Sequence, residues 1–444
     1  MKKTVKYSII ILSIIIISIV FLVLFVFYNN PNPAIPIDPF TNGRTERNMI
    51  VVLSDIHLGA DLAYAECKNN LGVLEKLLKQ IKASQNVKEL VIAGDLIDEW
   101  FIPATIDTYQ GKNQIDFIQR VAKTNEGVID AINDIIKEGN ISVTYVPGNH
   151  DLTITAANIE SIFPGINQAR DEALGLGTYS PVDYPKIAIE HGHRYNFFCA
   201  PDPISNQEIA PSTILPPGYF FTRIAALHVI QGKPSPGDTT PIVAQNISGS
   251  ESQDLLFRYW KIWASTVNMF PVKNKLNEEI INTKINGFMD NYSINDLIPY
   301  QLSPDGFINL DLFKGIQDSW DERQTRNKVA IHIPTAHAID SVMSSTETDN
   351  QAGLQYFLNP ASDKRIVIFG HTHEPKIIAS KNHDNKKSIY ANSGTWIDHN
   401  PNKTTMNFVV ITPQNNSVFS RTFVKLYNFE NEVVTKMAEE SLRY

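Results

Sequence analysis

Five short apolar runs along the chain each stop abruptly at polar residues. The first is Met49–Leu53, which is followed at once by Ser54, Asp55 and His57. A run that is apolar at every position and rich in β-branched residues predicts a strand buried on both faces. The other four runs are Leu90–Ala93, Val143–Val146, Ile187–Ile189 and Ile366–Phe369. We therefore expect five buried strands whose ends carry polar side chains.

The polar residues after these runs are of one chemical kind. The second run leads to Gly-Asp, the third to Gly-Asn-His-Asp, the fourth to Glu-His-Gly-His and the fifth to Gly-His-Thr-His. Because open α/β sheets bind ligands at the carboxyl ends of their strands, we expect these side chains at one rim. The candidate ligands are Asp55, His57, Asp95, Asn149, His191, His371 and His373. Glycine in the last four blocks permits sharp turns and close approach of the backbone.

This set of donors is typical of a metal site. Imidazole nitrogens, carboxylates and an amide oxygen, without thiolates, suit Zn, Mn or Fe. Seven donors are too many for one ion, whereas two ions that share one carboxylate account for all of them. Pairs of ions about 3.5–4 Å apart hold the attacking and leaving oxygens of an in-line displacement. The rim therefore predicts two divalent metal ions (Mn, Zn or Fe) and cleavage of a phosphoester.

Helical periodicity separates the predicted strands. Apolar residues recur at helical spacing over residues 71–81 and 128–136. Strands that alternate with helices predict parallel strands joined by right-handed crossovers. Four β-rich runs between residues 376 and 424 predict an antiparallel meander that closes a second sheet. The last segment, residues 426–444, is predicted to be a C-terminal helix.

Residues 202–360 differ from the rest of the chain in their sequence pattern. The pattern of strands that end in ligands stops there, and aromatic residues cluster around Trp260 and Trp263. Such a stretch is too long for a plain loop in a compact domain. We predict a largely helical insertion that caps the rim. The two tryptophans either contact substrate or belong to the core of the insertion.

The first 28 residues predict a membrane anchor. Lys2, Lys3 and Lys6 precede Tyr7–Tyr28, a run with no charged residue. At 1.5 Å per residue, about 21 helical residues span the roughly 30 Å of a bilayer core. The positive-inside rule then leaves the amino end in the cytoplasm and the rest of the chain outside. The alternative is a cleaved signal peptide, whose apolar region is usually about 7–15 residues long and ends in an A-x-A-like site.

Composition narrows the choice of partners. The chain has 444 residues, 43% of them hydrophobic, which is enough for a large core in two or three domains. The net charge of −8, without a basic stripe, argues against nucleic-acid binding. Cys67 and Cys199 are too few for a disulfide scaffold, although one bridge between them stays open if the compartment is oxidising.

The five polar blocks, taken in this order, resemble the calcineurin-like metallophosphoesterase superfamily. The resemblance covers residues 48–201 and about 363–424, and it implies an α/β fold, a four-layer αββα sandwich. It also implies these roles: Asp55, His57 and His373 hold one metal, Asn149, His191 and His371 hold the other, and Asp95 bridges the two. By the same resemblance, His150 acts on the substrate and leaving group, and Asp98 orients His150.

The domain order follows from these assignments. We predict a cytoplasmic end and transmembrane helix (1–28), a Pro-rich linker (29–47), a metallophosphoesterase core (48–201 and 361–425), the insertion (202–360) and the C-terminal helix (426–444). The protein is expected in the cell membrane as a single-pass chain, with its catalytic domain on the extracytoplasmic side.

Three stretches look most like the UDP-2,3-diacylglucosamine hydrolase branch, namely Ser54–Gly59, Gly94–Trp100 and Asn392–Trp396. That branch acts on a lipid-linked pyrophosphate at the cytoplasmic membrane face, whereas the leader and the insertion of this chain depart from it. The resemblance thus implies a phosphorylated small-molecule or lipid-linked substrate. A metal-bound hydroxide would cleave a phosphoester or pyrophosphate bond. The alternatives are a phosphate monoesterase of broad specificity and a non-catalytic binding protein that keeps the fold.

Some candidates near the rim have competing interpretations. In the fourth block, the resemblance favours His191, at the strand end, as the ligand. His193 and Arg194 are then expected to face substrate, because a guanidinium fork matches phosphate oxygens. The alternative for Arg194 is a solvent-facing salt bridge. Asp151 either orients a ligand or its loop, or forms a turn.

Overall fold

The computed structural model describes residues 38–444 except for residues 247–248, 305, 343, 345, 402 and 415–419. The predicted membrane helix, residues 7–28, lies outside the described residues. Within the described ranges, no helix is both long and apolar enough to cross a bilayer.

The first apolar run forms the centre of a large mixed sheet. Its parallel half contains β1 (Met49–Leu53), β2 (Val87–Ala93), β3 (Ser142–Val146) and β4 (Asn167–Gln168). Its antiparallel half contains β13 (Asn407–Thr412), β14 (Thr422–Glu430) and β15 (Val433–Leu442). The strand order is β15-β14-β13-β1-β2-β3-β4. The prediction of parallel strands for the first three runs is confirmed.

The fourth and fifth apolar runs lie in a second sheet. This sheet contains β5 (Ile187–Ile189), β10 (Ile366–Phe369), β11 (Lys376–Lys381) and β12 (Lys387–Asn392) in the order β11-β12-β10-β5. β10 is parallel to both β5 and β12, and β11 is antiparallel to β12. The carboxyl ends of β5 and β10 therefore point in one direction, as the ends of β1, β2 and β3 do in the first sheet.

The two sheets share one apolar layer. Ile50 and Val52 of β1 belong to the same buried cluster as Ile187 of β5 and Ile368 of β10. The opposite face of β1 is covered by helices. These are α1 (Leu71–Ala83), α2 (Gln114–Thr124), α3 (Glu126–Glu138) and α4 (Ala156–Ile162). Each helix contributes side chains to a separate buried apolar cluster on this face of the sheet. The helical periodicity at 71–81 and 128–136 corresponds to the buried faces of α1 and α3. The chain is thus a mixed α/β fold with a parallel sheet.

The described residues between β5 and β10 contribute no strand to either large sheet. They contain α5 (Pro217–Ile230), α6 (Glu251–Met269), α7 (Ile316–Arg326), α8 (Thr335–Asp340) and α9 (Glu347–Ala352). They also contain the two-residue strands β6 (Ile281–Asn282), β7 (Asn291–Tyr292), β8 (Tyr300–Gln301) and β9 (Ile308–Asn309). Trp263 is fully buried in a core that this stretch largely builds for itself. Trp260 is half-buried and donates to the carbonyl of Pro241 at 3.0 Å.

The predicted C-terminal helix is wrong. β15 pairs along β14 through a two-residue turn, Asn431 and Glu432, in which both residues have positive φ. Such a turn suits the twist of a hairpin, but the usual Asn-Gly signal is missing here. The mixture of Lys, Ala, Met and Glu after Val434 favours helix on propensity alone, and pairing with β14 overrides it.

The predicted single meander after residue 373 is also wrong. β11 and β12 belong to the second sheet, and β12 pairs with β10 in parallel. β13 instead joins β1 in the first sheet through antiparallel pairs such as Val51 with Val410. A β-rich run does not specify its partner, so the pattern predicted the strands and misassigned the sheets.

Candidate active site

Unusual backbone geometry marks the rim where the strands end. Asp55, His57, Asp95, His371 and His373 all have positive φ, between 51° and 71°. Non-glycine residues adopt this left-handed region rarely, and the strain persists where surrounding structure holds it, often at functional sites. The loops after β1, β2 and β10 are therefore shaped to present side chains rather than to continue strands.

One group of donors surrounds Asp55. The Nε2 atom of His373 lies 3.1 Å from Oδ1 of Asp55, and the Nε2 atoms of His57 and His373 face each other at 3.2 Å. The Asp55 carboxylate also accepts the backbone N–H of His371 at 3.0 Å. These contacts bring together residues from the ends of β1 and β10, which are 316 positions apart in sequence.

A second group surrounds Asp95. The Nε2 atom of His191 lies 3.0 Å from Oδ2 of Asp95 and 3.1 Å from Oδ1 of Asn149. The Nδ1 atom of His191 bonds the carbonyl of Ala93 at 2.9 Å, which directs Nε2 into the rim. The ring of His371 packs against the ring of His191, with centroids 5.2 Å apart. The structure thus brings all seven predicted ligands together.

The two groups touch through both carboxylates. Oδ2 of Asp95 lies 3.8 Å from Nε2 of His57, and Oδ1 of Asp55 lies 3.9 Å from Nε2 of His191. Asp55 can contribute an oxygen to either group, together with His57 and His373 or with Asp95 and His191. The geometry therefore places Asp95 between the groups, as the bridging role requires, and places Asp55 there as well.

The rim fits divalent cations. Two imidazole nitrogens that face each other at 3.2 Å beside carboxylates form a donor set that suits Zn, Mn or Fe. Three glycines leave the space that these donors occupy. A Cβ atom on Gly94 would clash with the ring of His191, one on Gly148 with the carboxylate of Asp95, and one on Gly370 with the carboxylate of Asp55.

The carboxylates at the rim shift the pKa values of two of its histidines. Burial lowers the pKa of His57, but its hydrogen bond to Asp98 and the charges of Glu66 and Asp98 raise that pKa to about 10. Burial is likewise outweighed at His191, where the charges of Asp95 and Asp55 raise the pKa to about 9.

Asp98 orients two histidines rather than one. Its Oδ1 atom bonds Nδ1 of His150 at 2.8 Å, and its Oδ2 atom bonds Nδ1 of His57 at 3.1 Å. Burial disfavours the carboxylate, but the charge and hydrogen bond of His150 hold the pKa of Asp98 well below its usual range. Although burial opposes it, the charges of Asp98 and Asp95 raise the pKa of His150. Asp98 thus fixes the ring of His150 and favours its protonated form.

Asp151 fixes the loops beneath the rim. Its carboxylate accepts the backbone N–H groups of Leu96 at 2.9 Å, of Ile97 at 3.3 Å and of Gly148 at 2.6 Å. The loop that follows β2 is therefore tied to the loop that follows β3. Of the two interpretations of Asp151, the one in which it orients a loop agrees with the structure.

The prediction that His193 and Arg194 face substrate is wrong. Arg194 is buried, and its guanidinium bonds Glu190, Asp171, Thr178 and the carbonyl of Asn327. His193 is also buried, with Nε2 3.1 Å from the carbonyl of Gly175. A 3₁₀ turn at His193–Tyr195 directs both side chains into the protein, where the acids compensate the buried charge of Arg194.

Two residues near His150 had no assigned role in the sequence. Glu66 lies in the loop after β1, with Oε2 3.5 Å from Nδ1 of His57 and with 22% of its side chain exposed. Trp100 stacks on the ring of His150, with centroids 5.0 Å apart and planes at 28°. Nothing in the spacing singles out Glu66, whereas Trp100 closes the Gly-Asp-Leu-Ile-Asp-Glu-Trp block and could have been noticed there.

A pocket of about 500 Å³ opens directly beside the rim. Asp95, Asn149, His150, His371 and His373 form its polar end. The remaining lining comes mainly from α5, α6 and the segments next to them. Cys199 also lines this pocket, and both cysteines are free thiols, so the bridge between Cys67 and Cys199 is not formed.

Comparison with known proteins finds a family match over the first part of the described chain. A family model described as calcineurin-like phosphoesterase matches residues 49–214, a range that includes every candidate ligand except His371 and His373. No curated protein matches this chain. Among solved structures, N-acetyl-D-glucosamine-6-phosphate deacetylase from Mycobacterium smegmatis is similar at 11% identity and a TM-score of 0.14, over 73% of this chain and 69% of that chain. A TM-score this low does not indicate a shared fold. The chain therefore carries a domain of the calcineurin-like phosphoesterase superfamily, which implies a metal-dependent phosphoester hydrolase in general.

Proposed function

We propose that the protein is a membrane-anchored hydrolase that uses two divalent metal ions to cleave a phosphoester or pyrophosphate bond. The observation that carries the proposal is the convergence of seven oxygen and nitrogen donors from five strand ends, with His150 beside them. Asp55, His57 and His373 would hold one ion, Asn149, His191 and His371 the other, and Asp95 would bridge them. The ions, Mn, Zn or Fe, would polarise the phosphoryl oxygens and lower the pKa of a water molecule.

The chain itself supplies proton transfer at the leaving oxygen. His150 donates its backbone N–H to Asp95 at 2.8 Å, so its position is tied to the metal donors. The ring of His150 is held by Asp98 on one edge and by Trp100 on one face. A histidine whose pKa is raised in this way is suited to give a proton to a departing oxygen.

The main alternatives differ in substrate or in turnover. A phosphate monoesterase of broad specificity would use the same rim. A non-catalytic binding protein would be expected to lose ligands, whereas all seven are present and meet in this chain.

Turnover decides between these functions. Chelator-treated protein should gain activity on bis-p-nitrophenyl phosphate, p-nitrophenyl phosphate or both when Mn²⁺ is returned, and Asp95→Asn should stay inactive. A higher kcat/KM for the diester favours a phosphodiesterase or pyrophosphatase, and a higher value for the monoester favours the broad monoesterase. Absence of turnover with Mn²⁺, Zn²⁺ and Fe²⁺ alike would leave the binding protein as the function.

Membrane anchoring and orientation are part of the same proposal. Support comes from the uncharged run 7–28 and from Lys2, Lys3 and Lys6 before it. A reporter that is active only in the cytoplasm, fused after Pro39, should be silent in cells. Activity of that reporter would reverse the proposed orientation, and recovery of a chain that lacks residues 1–28 would remove the anchor.

A further inference from the structure

The pocket beside the rim has largely apolar walls, whereas the rim itself is polar. α5 contributes Phe221, Ala225 and Val229, and the end of α6 contributes Met269, followed by Phe270. Val229 and Met269 are 43% and 45% exposed, although large apolar side chains usually avoid water when they form a contiguous patch. The pocket therefore offers an apolar surface from the metal rim outward to solvent.

The apolar wall is held rigidly. Phe198 and Phe221 stack with centroids 5.0 Å apart and planes at 13°, and Phe221 contacts the buried Trp263 at 3.9 Å between centroids. Preformed apolar pockets of about 300–1,000 Å³ with a few polar groups at one end are the usual form of small-molecule sites. At about 500 Å³, this pocket has room for an organic group besides the phosphoryl group at the rim.

Charge in the pocket restricts that organic group further. No lysine or arginine is found among the described residues that line it, and Glu66 adds a carboxylate close to His57. An anionic group placed there would lose its hydration without gaining a cation in return. A second phosphate or a carboxylate on the organic part of the substrate is thus disfavoured, while hydrocarbon is favoured.

We infer that the substrate is an amphiphilic phosphoester whose organic group is uncharged and apolar and occupies the pocket between α5 and α6. This inference rests on the proposed function and names its substrate class. It separates the chain from hydrolases of nucleotide-linked pyrophosphates, because a nucleotide would bring further charge and polar groups into an apolar pocket without basic side chains.

Binding of n-alkylphosphonic acids to the Mn²⁺-loaded protein tests the inference, because these compounds are not hydrolysed and differ only in chain length. Each methylene that enters the pocket should improve the dissociation constant by up to about fourfold. By calorimetry, octylphosphonic acid should bind at least about thirtyfold more tightly than methylphosphonic acid. An octyl chain that ends in a carboxylate should lose most of that gain.

Two variants on α5 localise the effect. Ala225 is half-buried and lines the pocket, so Ala225→Phe should reduce the octyl-to-methyl binding ratio at least tenfold. Ile230, on the same helix, is 49% exposed and does not line the pocket, so Ile230→Phe should keep the wild-type ratio.

The outcomes separate this inference from the proposed function. Equal affinity for methyl and octyl compounds, or tighter binding of the carboxylate-ended chain, would overturn the apolar substrate class while turnover of nitrophenyl esters could still stand. Failure of every phosphonate to bind, together with absence of turnover, would overturn the proposed function and the inference together.

Discussion

The donor rim and the apolar pocket wall line the same pocket, but their side chains are held by different forces. At the rim, the donors are fixed by short polar contacts and, at five of the seven positions, by a strained backbone, as for Asp55 and His373. In the wall, side chains such as Phe221 are fixed by packing against a fully buried core residue, Trp263. Loss of one polar atom should therefore alter chemistry at the rim, whereas loss of volume in the wall should alter stability or selectivity.

The largest effect is expected at Asp95, one of the two carboxylates that lie between the donor groups. Asp95→Ala should remove both ions and all activity, because Asp95 contacts His191 directly and lies 3.8 Å from His57. Asp55→Ala should chiefly disturb one ion. Metal analysis of the purified variants measures both, with Asp321→Ala, an 85% exposed carboxylate, as the control. Two full equivalents retained in Asp95→Ala would remove its bridging role.

Proton transfer should give the next largest effect. General acid catalysis is typically worth about 10²–10⁴-fold, so His150→Ala should lower kcat on an ester with an alkyl leaving group by about that factor. The loss should be clearly smaller for an ester that leaves as p-nitrophenolate, which needs little protonation. His332→Ala, at an exposed histidine paired with Asp321, serves as the control. Equal losses on both esters would mean that His150 acts on binding or on phosphoryl charge instead.

In the pocket wall, loss of a large side chain should lower the stability of the fold. Trp263→Ala should lower the free energy of unfolding by about 3–5 kcal/mol, since a fully buried tryptophan is deleted from a packed core. Trp260→Ala should cost much less, because Trp260 is half-buried. Denaturant unfolding of the two variants checks this, together with their metal content, which should equal that of the wild type. Loss of bound metal from folded Trp263→Ala would show that the two regions are not independent.

A smaller effect is expected at Asp98, which bonds the predicted ligand His57 but is not itself a predicted ligand. An asparagine at position 98 keeps one acceptor oxygen where the aspartate has two, so Asp98→Asn should weaken the hold on either His57 or His150. Outer contacts of metal ligands typically affect metal affinity by about 10–100-fold. Competition with a chelator measures this, with Asp321→Asn, which faces His332 at 2.6 Å, as the matched carboxylate–histidine control. Unchanged metal affinity would show that Asp98 orients His150 and does not support metal binding through His57.

The sequence predicts the rim well because its pattern is local. Each donor follows an apolar strand directly, so strand register and the shared direction of parallel strands bring Asp55, Asn149 and His371 together without knowledge of the loops. His193 and Arg194 were misjudged because the turn after His191 reverses the chain into the interior, and nothing in the residue types specifies that turn. The branch of the superfamily and the predicted membrane helix stay predictions.

The pocket wall shows where such reasoning ends. Phe221 and Phe270 reach one cavity only because side chains of α5 and α6 meet within residues 202–360, as Phe221 meets Trp263, and such contacts are set by shape rather than by a motif. The same limit applied to β15, where pairing with β14 decided between strand and helix. Long-range contacts, and not local propensity, determine both the structure of the pocket wall and the pairing of β15.

Calorimetric titration of chelator-treated protein with Mn²⁺ tests the central claim most directly. The pKa values of about 10 for His57 and about 9 for His191 mean that both are protonated near neutral pH and must lose those protons to bind metal. Apparent affinity should therefore rise with pH from 6 to about 9, with proton release seen as a heat that depends on the buffer. We expect two equivalents to bind, one proton to leave each of these histidines, and activity to appear as the sites fill. Activity that is complete in the metal-free protein, or absence of binding at the rim, would contradict the account.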